Sequence, residues 1–262
     1  MTINVGVYGA GGRMGSTVCR TIEAEQGLAL VAALDPHHVG LDLRAVAGTT
    51  TDLAISSHPQ ALLDAGVQVA IDFTEAHAAR ENLDFMAEHG IHAVVGTTGL
   101  SDADIADLEK KFTKSNCVIA PNFAIGAILM MKFAAVAAPY FETAEILEFH
   151  HDQKVDSPSG TALLTAERMG AAKSDWAPDP TEHHVVAGAR GGVAPGGVTI
   201  HAIRMRGMVA HQEVLLGTTG QTLSIRHDSY DRTSFMPGVV MATRAIADRP
   251  GVTVGLDVLL GL

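Results

Sequence analysis

Short apolar runs alternate with amphipathic segments through the first half of the chain. Five runs have the length and the aliphatic, β-branched composition of buried parallel strands; they are INVGVY, LALVAAL, VQVAID, IHAVVG and CVIA. Segments with helical periodicity lie between several of them, namely RMGSTVCRTIEAE, EAHAARENLDFMAEHG and SDADIADLEKKF. Repeated β-α units of this kind predict an N-terminal Rossmann-type, doubly wound parallel sheet with right-handed crossovers.

The pattern changes after Pro121. The next predicted elements are a long apolar helix, a strand, a polar loop and a second helix; they are NFAIGAILMMKFAAVAAPYF, AEILEF, EFHHDQKVDSPSGTA and TALLTAERMGAA. A Pro- and Gly-rich stretch, residues 173–197, predicts a long surface loop, and three strands follow it, VTIHAIRM, HQEVLLG and QTLSIRH. This second region is therefore predicted to be α+β with a mostly antiparallel sheet. The final helical pattern, DRTSFMPGVVMATRAIADRP, is expected to pack back on the first region.

A glycine-rich turn, VYGAGGRMG, joins the first strand to the first helix. Glycines at this place let the backbone turn tightly and approach a pyrophosphate, which the amide groups at a helix N-terminus bind. The spacing of Gly9, Gly12 and Gly15 fits such a turn better than the strict GxGxxG motif, which has glycine where this chain has Met14. A glycine-rich turn that binds no ligand is the alternative. The predicted dinucleotide contacts in the turn are Gly9, Ala10, Gly11, Gly12, Arg13 and Met14.

Asp35 ends the second predicted strand, in LALVAALDPHH, twenty positions after Gly15. A carboxylate there accepts hydrogen bonds from the adenosine ribose and disfavours a 2′-phosphate. We therefore expect NADH to bind well, while Arg13, His37 and His38 could still tolerate NADPH. Taken alone, Asp35 could equally be a solvated carboxylate in a turn.

Small polar segments follow three further strands, namely DFT, GTTG and APNF. Ligands of open α/β sheets bind beyond the carboxyl ends of the strands, so these segments should supply backbone groups and hydroxyls around a nicotinamide. The predicted contacts are Phe73, Thr74, Gly96, Thr97, Thr98, Ala120, Pro121, Asn122 and Phe123.

Charge and composition narrow the choice of partners. The chain has 262 residues and a formal net charge of −11, which argues against a nucleic acid or an anionic membrane as partner. Its apolar stretches are far shorter than the ~20 residues that span a bilayer, and its first residues lack the pattern of a signal peptide. Cys19 and Cys117 form no CxxC pair, so we expect the reducing cytoplasm as the setting.

The polar loop, residues 148–162, places two histidines and a lysine ahead of a Ser-Gly-Thr turn. Imidazole and ammonium groups can exchange protons with a substrate, and the amide groups at a helix start can bind a carboxylate. Two adjacent histidines could instead bind a metal ion, but no CxxC or HxxxH spacing accompanies His150 and His151. We therefore predict no metal site.

In their order and spacing, five segments resemble the dihydrodipicolinate reductase family along the whole chain; they are GAGGRMG, DFT, GTTG, APNFAIGA and EFHHDQKVDSPSGTA. The resemblance implies an oxidoreductase that uses NADH, NADPH or both to reduce 4-hydroxy-tetrahydrodipicolinate, a cyclic dicarboxylate imine, in diaminopimelate and lysine biosynthesis. It implies that His150 donates or accepts the proton that completes the reaction, and that Lys154 donates one. The substrate contacts implied by the resemblance are His151, Gly160 and Thr161. Ser157 is a departure, because alanine is commoner there in the family.

The resemblance also implies how the chain is organised. Residues 1–124, completed by residues 235–262, would form the dinucleotide-binding domain, and residues 125–234 the substrate-binding and tetramerisation domain of a homotetramer. Two alternatives remain: another two-domain Rossmann dehydrogenase, acting on a sugar or a semialdehyde, and an NAD-sensing module without turnover. A semialdehyde dehydrogenase would need a cysteine nucleophile, and neither Cys19 nor Cys117 has the sequence surroundings expected of one.

Overall fold

The structure, a computed structural model, describes residues 2–261 and divides into two compact units. Unit 1 consists of residues 2–123 and 232–261, and unit 2 of Ala124–Asp231. Each unit has a sheet of its own. No helix within residues 2–261 combines the length and the apolar character that crossing a membrane requires.

Unit 1 begins with five strands and five helices. The strands are β1 (Ile3–Tyr8), β2 (Leu28–Leu34), β3 (Val69–Asp72), β4 (His92–Val95) and β5 (Cys117–Ile119). The helices are α1 (Arg13–Ala24), α2 (Leu43–Ala47), α3 (Gln60–Asp64), α4 (Ala76–His89) and α5 (Asp102–Lys111). Strands β3 and β5 are buried along their whole length, as expected of parallel strands covered on both faces.

Unit 2 contains two helices, a 3-10 turn and a five-stranded sheet. Its elements are α6 (Ile125–Ala137), the 3-10 turn Ala138–Tyr140, β6 (Thr143–His150), α7 (Gly160–Ala172), β7 (Gly192–Val193), β8 (Thr199–Arg204), β9 (Ala210–Thr218) and β10 (Gln221–Ser229). The strand order is β10-β9-β6-β8-β7, and every pairing is antiparallel except that of β6 with β8. The predicted α+β region with a mostly antiparallel sheet is therefore confirmed. Residues 173–191, between α7 and β7, form a long loop.

The chain then returns to unit 1. The returning elements are the 3-10 turn Arg232–Phe235, α8 (Met236–Ala245), the 3-10 turn Ile246–Asp248, β11 (Val252–Val254) and α9 (Asp257–Leu260). Pro237 lies in the first turn of α8, where its missing N–H costs no helical hydrogen bond. Helix α8 packs closely on the segment that follows β5, because a Cβ on Gly238 would lie 2.1 Å from the Phe123 carbonyl oxygen.

The sheet of unit 1 has six strands in the order β11-β5-β4-β3-β1-β2, and every pair is parallel. The chain goes from β1 to β2 on one side and then crosses to β3 on the other side of β1. The carboxyl ends of β1 and β3 therefore frame the switch point at which open α/β sheets bind ligands. Leu83 and Met86 of α4 and Leu108 of α5 belong to the buried core of this unit. The predicted doubly wound, Rossmann-type sheet is confirmed.

Candidate active site

The glycine turn between β1 and α1 has no room for side chains. Gly9 has a φ of +68°, which residues with a Cβ rarely adopt. A Cβ on Gly15 would lie 1.9 Å from the Gly9 carbonyl oxygen, and a Cβ on Gly11 would lie 2.3 Å from Nδ1 of His38. Helix α1 thus begins directly against the end of β1, which is why glycine recurs at this spacing.

The N-terminus of α1 fits an anionic ligand. Its N-cap residue, Gly12, has no side chain that could accept a hydrogen bond from the first turn, and that turn contains no acidic residue. Backbone N–H groups at a helix start lack partners within the helix, and the helix dipole adds partial positive charge there. A pyrophosphate can satisfy these groups, so the turn is suited to a dinucleotide.

Asp35 lies directly after β2 with its carboxylate beside the glycine turn. Its Oδ2 accepts the Gly11 N–H at 3.0 Å, its Oδ1 accepts the His37 N–H at 2.9 Å, and Nδ1 of His38 lies 3.1 Å from Oδ1. Burial acts to raise the pKa of Asp35, but the contact with His38 and the hydrogen bonds from the two backbone groups outweigh it and lower that pKa. The residue is only 5% exposed, so it is not a solvated carboxylate.

Asp72 ties together the segments that follow β3 and β4. The residue is fully buried, and its Oδ1 accepts hydrogen bonds from the Thr74 N–H at 2.8 Å and the Thr97 hydroxyl at 3.0 Å. Its Oδ2 accepts one from the side-chain amide of Asn82 at 2.7 Å. A buried carboxylate is tolerated only with such donors, so Asp72 fixes both polar segments at the edge of the sheet.

Two aromatic rings lie at the same edge. The rings of Phe73 and Phe123 are tilted, with centroids 5.6 Å apart, and a Cβ on Gly96 would lie 2.0 Å from the Phe73 ring. The glycine turn is also close, because a Cβ on Gly9 would lie 3.2 Å from the side chain of Thr74. The structure therefore brings together the segments that follow β1, β3, β4 and β5.

The remaining residues predicted to contact a nucleotide differ in exposure. Thr98 and Pro121 are exposed, as is Arg13 in the first turn of α1. Ala10 and Ala120 are buried, so only their backbone groups could contact a ligand. Met14 and Asn122 are half-buried.

Glu148 organises the polar loop of unit 2, and the sequence analysis assigned it no role. It is fully buried, and its two oxygens each accept a hydrogen bond from Arg204 at 2.8 Å. Oε1 also accepts the Ser159 N–H at 3.1 Å, and Oε2 contacts Nδ1 of His150. Burial acts to raise the pKa of Glu148, but the hydrogen bonds from His150 and Arg204 outweigh it and lower that pKa to about 2. The sequence signal that could have indicated Glu148 is its spacing from His150. The two residues are two apart on β6, and residues two apart on a strand share a face.

Lys154 and His151 lie in the loop after β6. The Lys154 ammonium is 2.7 Å from both carboxylate oxygens of Asp156, and the Lys154 N–H donates to the His151 carbonyl at 3.2 Å. The ion pair with Lys154 lowers the pKa of Asp156. His151 is exposed, whereas the Lys154 side chain is only 20% exposed. Asp156 is a second residue of this site that the sequence analysis left without a role.

The Ser-Gly-Thr turn starts α7. Ser159 is the N-cap, and its hydroxyl oxygen accepts the Ala162 N–H at 3.2 Å. Gly160 is exposed, and no described neighbour lies within 4 Å of the place where its Cβ would be. Thr161 is half-buried, and the first turn contains no acidic residue. The start of α7 therefore suits a carboxylate for the same reason that the start of α1 suits a pyrophosphate.

Neither cysteine suits covalent catalysis. Cys19 and Cys117 are buried in unit 1 with free thiols. Burial raises the pKa of Cys19 to about 12 and raises that of Cys117 as well. The thiolate is the nucleophilic form of cysteine, so a semialdehyde dehydrogenase of the usual thiol type does not fit. Within residues 2–261, no group of three or more His, Cys, Asp or Glu side chains could hold a metal ion.

Two protein-family models together match almost the whole chain. The model for "Dihydrodipicolinate reductase, N-terminus" matches residues 3–123, and the model for "Dihydrodipicolinate reductase, C-terminus" matches residues 126–260. The chain belongs to the dihydrodipicolinate reductase family. It is therefore an oxidoreductase of the NAD(P)H-dependent class, and the predicted family and enzyme class are confirmed.

Individual relatives agree with the family assignment. The 4-hydroxy-tetrahydrodipicolinate reductase of Corynebacterium aurimucosum is 47% identical, with both chains covered over 100% of their length. That of Thermobifida fusca is 49% identical, covering 99% of this chain and 100% of the relative. The solved structure of a dipicolinate-bound dihydrodipicolinate reductase from Paenisporosarcina sp. TG-14 superimposes with a TM-score of 0.85 at 36% identity, covering 98% of this chain and 99% of that one.

Proposed function

We propose that this chain catalyses the NAD(P)H-dependent reduction of 4-hydroxy-tetrahydrodipicolinate to tetrahydrodipicolinate, a step of diaminopimelate and lysine biosynthesis. The observation that carries the proposal is the HHxxKxDxPSGTA loop, residues 150–162, in a chain that matches the family over its full length. The relatives are named for this reaction.

The nucleotide site of the proposal lies in unit 1. Gly11 and Gly12 would let the backbone approach the pyrophosphate, Arg13 would bind it at the start of α1, and Asp35 would bind the adenosine ribose. When bound, the nicotinamide supplies the hydride that reduces the substrate. The residues that would surround the rest of the nucleotide are Gly9, Ala10, Met14, Phe73, Thr74, Gly96, Thr97, Thr98, Ala120, Pro121, Asn122 and Phe123.

NADH is the nucleotide that we expect to bind well. The pKa of Asp35 is lowered, so its carboxylate is ionised at neutral pH and would repel a 2′-phosphate. NADPH would still be tolerated, because two side chains without negative charge lie near this site. Arg13 is exposed at the start of α1, and His38 lies beside Asp35.

The protons of the reaction would come from unit 2. Hydride addition to a conjugated imine leaves excess electron density on the substrate, and a proton must be delivered to complete the reduction. His150 would donate or accept this proton, and Lys154 would donate one; a positioned acid contributes on the order of 10²- to 10⁴-fold in rate. Asp156 holds the ammonium of Lys154 in place.

The two carboxylates of the substrate would also bind in unit 2. The backbone at Gly160 and Thr161, at the start of α7, would bind one carboxylate, and Lys154 would face the other. His151, exposed at the end of β6, would be a further substrate contact. In a chain with a net charge of −11, local donors of this kind would be needed to capture a small dianion.

We further propose a homotetramer in the cytoplasm. Residues 125–234 would be the substrate-binding and tetramerisation domain, and residues 1–124 with 235–262 the dinucleotide-binding domain. Leu215 of β9 lies on the face of the sheet opposite to the buried Val214 and Leu216 and is 37% exposed, and pairing of this face between copies would cover it. Light scattering should give about four times the chain mass of 27.4 kDa, and the mass of a single chain would contradict the tetramer.

The test of the proposed function is a turnover assay. Protein and NADH are mixed with the aldol product of pyruvate and aspartate semialdehyde, and the NADH absorbance is followed. We expect consumption of NADH that requires both protein and substrate. NADH binding without consumption would favour the NAD-sensing module, and formation of NADH from NAD⁺ with a sugar or a semialdehyde would favour another dehydrogenase.

A further inference from the structure

Glu148 contacts three separate elements of unit 2. It lies on β6 beside His150, its partner Arg204 lies on β8, and Ser159 directly precedes α7. From this geometry we infer that Glu148 is a positioning residue, whose carboxylate keeps the proton of His150 on Nδ1 and leaves Nε2 to exchange a proton with the substrate. The inference deepens the proposed function and rests on it, because His150 is the proton donor or acceptor there.

The carboxylate of Glu148 has a donor at every acceptor position. Oε1 accepts the Ser159 N–H at 3.1 Å and one Arg204 nitrogen at 2.8 Å, and Oε2 accepts the other Arg204 nitrogen at 2.8 Å. Oε2 also contacts Nδ1 of His150. A carboxylate offers about four lone-pair sites, so the buried charge is fully compensated. Such a carboxylate stays ionised over the working pH range, which agrees with its lowered pKa.

An ionised carboxylate can only accept hydrogen bonds, which determines the tautomer of His150. Because Oε2 of Glu148 faces Nδ1, that nitrogen must carry the proton in the neutral imidazole. Nε2 then holds the lone pair and gains a proton only when the ring becomes an imidazolium. The carboxylate also stabilises the imidazolium by its charge, so it supports both states between which a proton-transferring histidine alternates.

Arg204 keeps the carboxylate in this orientation. Its guanidinium binds both oxygens of Glu148 and also donates to the backbone carbonyls of Asp156 at 2.8 Å and Ile203 at 2.9 Å. A planar guanidinium held at four places restricts rotation of the carboxylate bound to it. Arg204 therefore connects the histidine to the loop that carries Asp156, the partner of Lys154.

The same carboxylate also fixes the start of α7. It accepts the N–H of Ser159, and the hydroxyl oxygen of Ser159 accepts the Ala162 N–H. Glu148 thus fixes the position of His150 and also that of the Gly160 backbone. A proton donor and a carboxylate-binding helix start must keep a constant separation if one substrate is to contact both, and a shared buried carboxylate supplies that constraint.

The variant Glu148→Gln tests this role, because it keeps the size of the side chain and removes its charge. We expect kcat to fall about 10- to 100-fold, in the range typical of lost partners of a functional histidine. The affinity for NADH should stay within about twofold of wild type, because its proposed contacts are in unit 1.

Glu145 provides a matched control on the same strand. Its carboxylate contacts a histidine and an arginine as that of Glu148 does, with His201 at 2.7 Å and Arg190 at 2.6 Å. None of these residues belongs to the polar loop, so Glu145→Gln should leave kcat unchanged. Equal losses in Glu145→Gln and Glu148→Gln would overturn the inference, because they would report a general effect on the sheet.

A second measurement separates positioning from a merely structural role. In a His150→Ala background, adding Glu148→Gln should lower the residual kcat by less than about twofold, because the glutamine oxygen still accepts the Ser159 N–H and the lost charge acts on kcat through His150. A full further loss in that background would contradict action through His150.

The tautomer itself can be measured without substrate. Nitrogen NMR of the ¹⁵N-histidine-labelled wild-type protein, with the His150 signals identified by their loss in His150→Ala, should show the proton on Nδ1 at a pH at which the ring is neutral. A proton on Nε2 would overturn the inference, even if Glu148→Gln failed to fold. This result is independent of the turnover assay, so failure of the proposed reaction and failure of the positioning role can be told apart.

Discussion

At the scale of single residues, two buried acids shape the candidate sites. Asp72 and Glu148 are both fully buried, and each accepts hydrogen bonds from more than one element. The sequence motif made His150 and Lys154 candidates, but it could not indicate Glu148. Its main partner, Arg204, lies 56 positions away, and a charge is tolerated in the interior only through partners that the fold supplies.

Removal of the Lys154 ammonium should lower kcat without weakening the binding of the nucleotide. We expect Lys154→Ala to lower kcat by about 10²- to 10⁴-fold, the contribution of a positioned acid. The dissociation constant of NADH, measured by fluorescence titration, should stay nearly unchanged. Lys111→Ala is the control, because Lys111 pairs with Asp84 and Asp107 on the surface of unit 1. A parallel loss of NADH binding in Lys154→Ala would contradict its assigned role.

The carboxylate of Asp35 should set the nucleotide preference. Asp35→Ala removes a ribose acceptor and a negative charge, so it should weaken NADH binding more than NADPH binding. Titration of the variant with each nucleotide measures the ratio of the two affinities. Asp52→Ala, at a side chain that is 81% exposed, serves as the control and should leave that ratio unchanged. If the ratio is also unchanged in Asp35→Ala, Asp35 does not contact the ribose.

The buried charge of Glu148 should make stability depend on pH. Its pKa is about 2 in the folded protein and ~4.3 in an unfolded chain, so its stabilising effect is complete above the unfolded value and is lost as pH falls toward 2. Between about pH 7 and about pH 3.5, the free energy of unfolding of wild type should fall by roughly 1 kcal/mol more than that of Glu148→Gln. Urea unfolding at both pH values measures this, and equal decreases would contradict the lowered pKa.

At the scale of elements, periodicity predicted the long elements and missed the short ones. Helices α1, α4 and α5 and the buried strands follow from apolar spacing. Helices α2 and α3 have only five residues each, too few to show a helical period. Strand β11 has three residues, and it is a strand because it pairs with β5, which no local pattern reports.

The close packing of α1 on the end of β1 gives a prediction at this scale. Gly15→Ala should lower both the affinity for NADH and the melting temperature, because its Cβ would lie 1.9 Å from a backbone carbonyl oxygen that cannot easily move. Gly192→Ala is the control, since no described atom lies within 4 Å of the place where that Cβ would be. Thermal unfolding and NADH titration of both variants check the expectation, which a fully stable Gly15→Ala with normal affinity would refute.

At the scale of the whole molecule, unit 1 is built from both ends of the chain. Helix α8 and strand β11 follow unit 2 along the chain and complete unit 1. Gly238 of α8 packs against Phe123. Alternating strands and helices were enough to predict a Rossmann-type sheet. The reaction could be predicted only from the resemblance, because the fold supports many dehydrogenases and the distinguishing residues are concentrated in the loop 148–162.

The central claim is that a nicotinamide hydride reduces a cyclic dicarboxylate imine on this protein, and isotope transfer tests it most directly. NADH carrying deuterium stereospecifically at C4 is incubated with the protein and 4-hydroxy-tetrahydrodipicolinate, and the product is analysed by mass spectrometry. We predict one deuterium in tetrahydrodipicolinate from one of the two labelled stereoisomers and none from the other. NADH that binds but transfers deuterium from neither isomer would contradict the account.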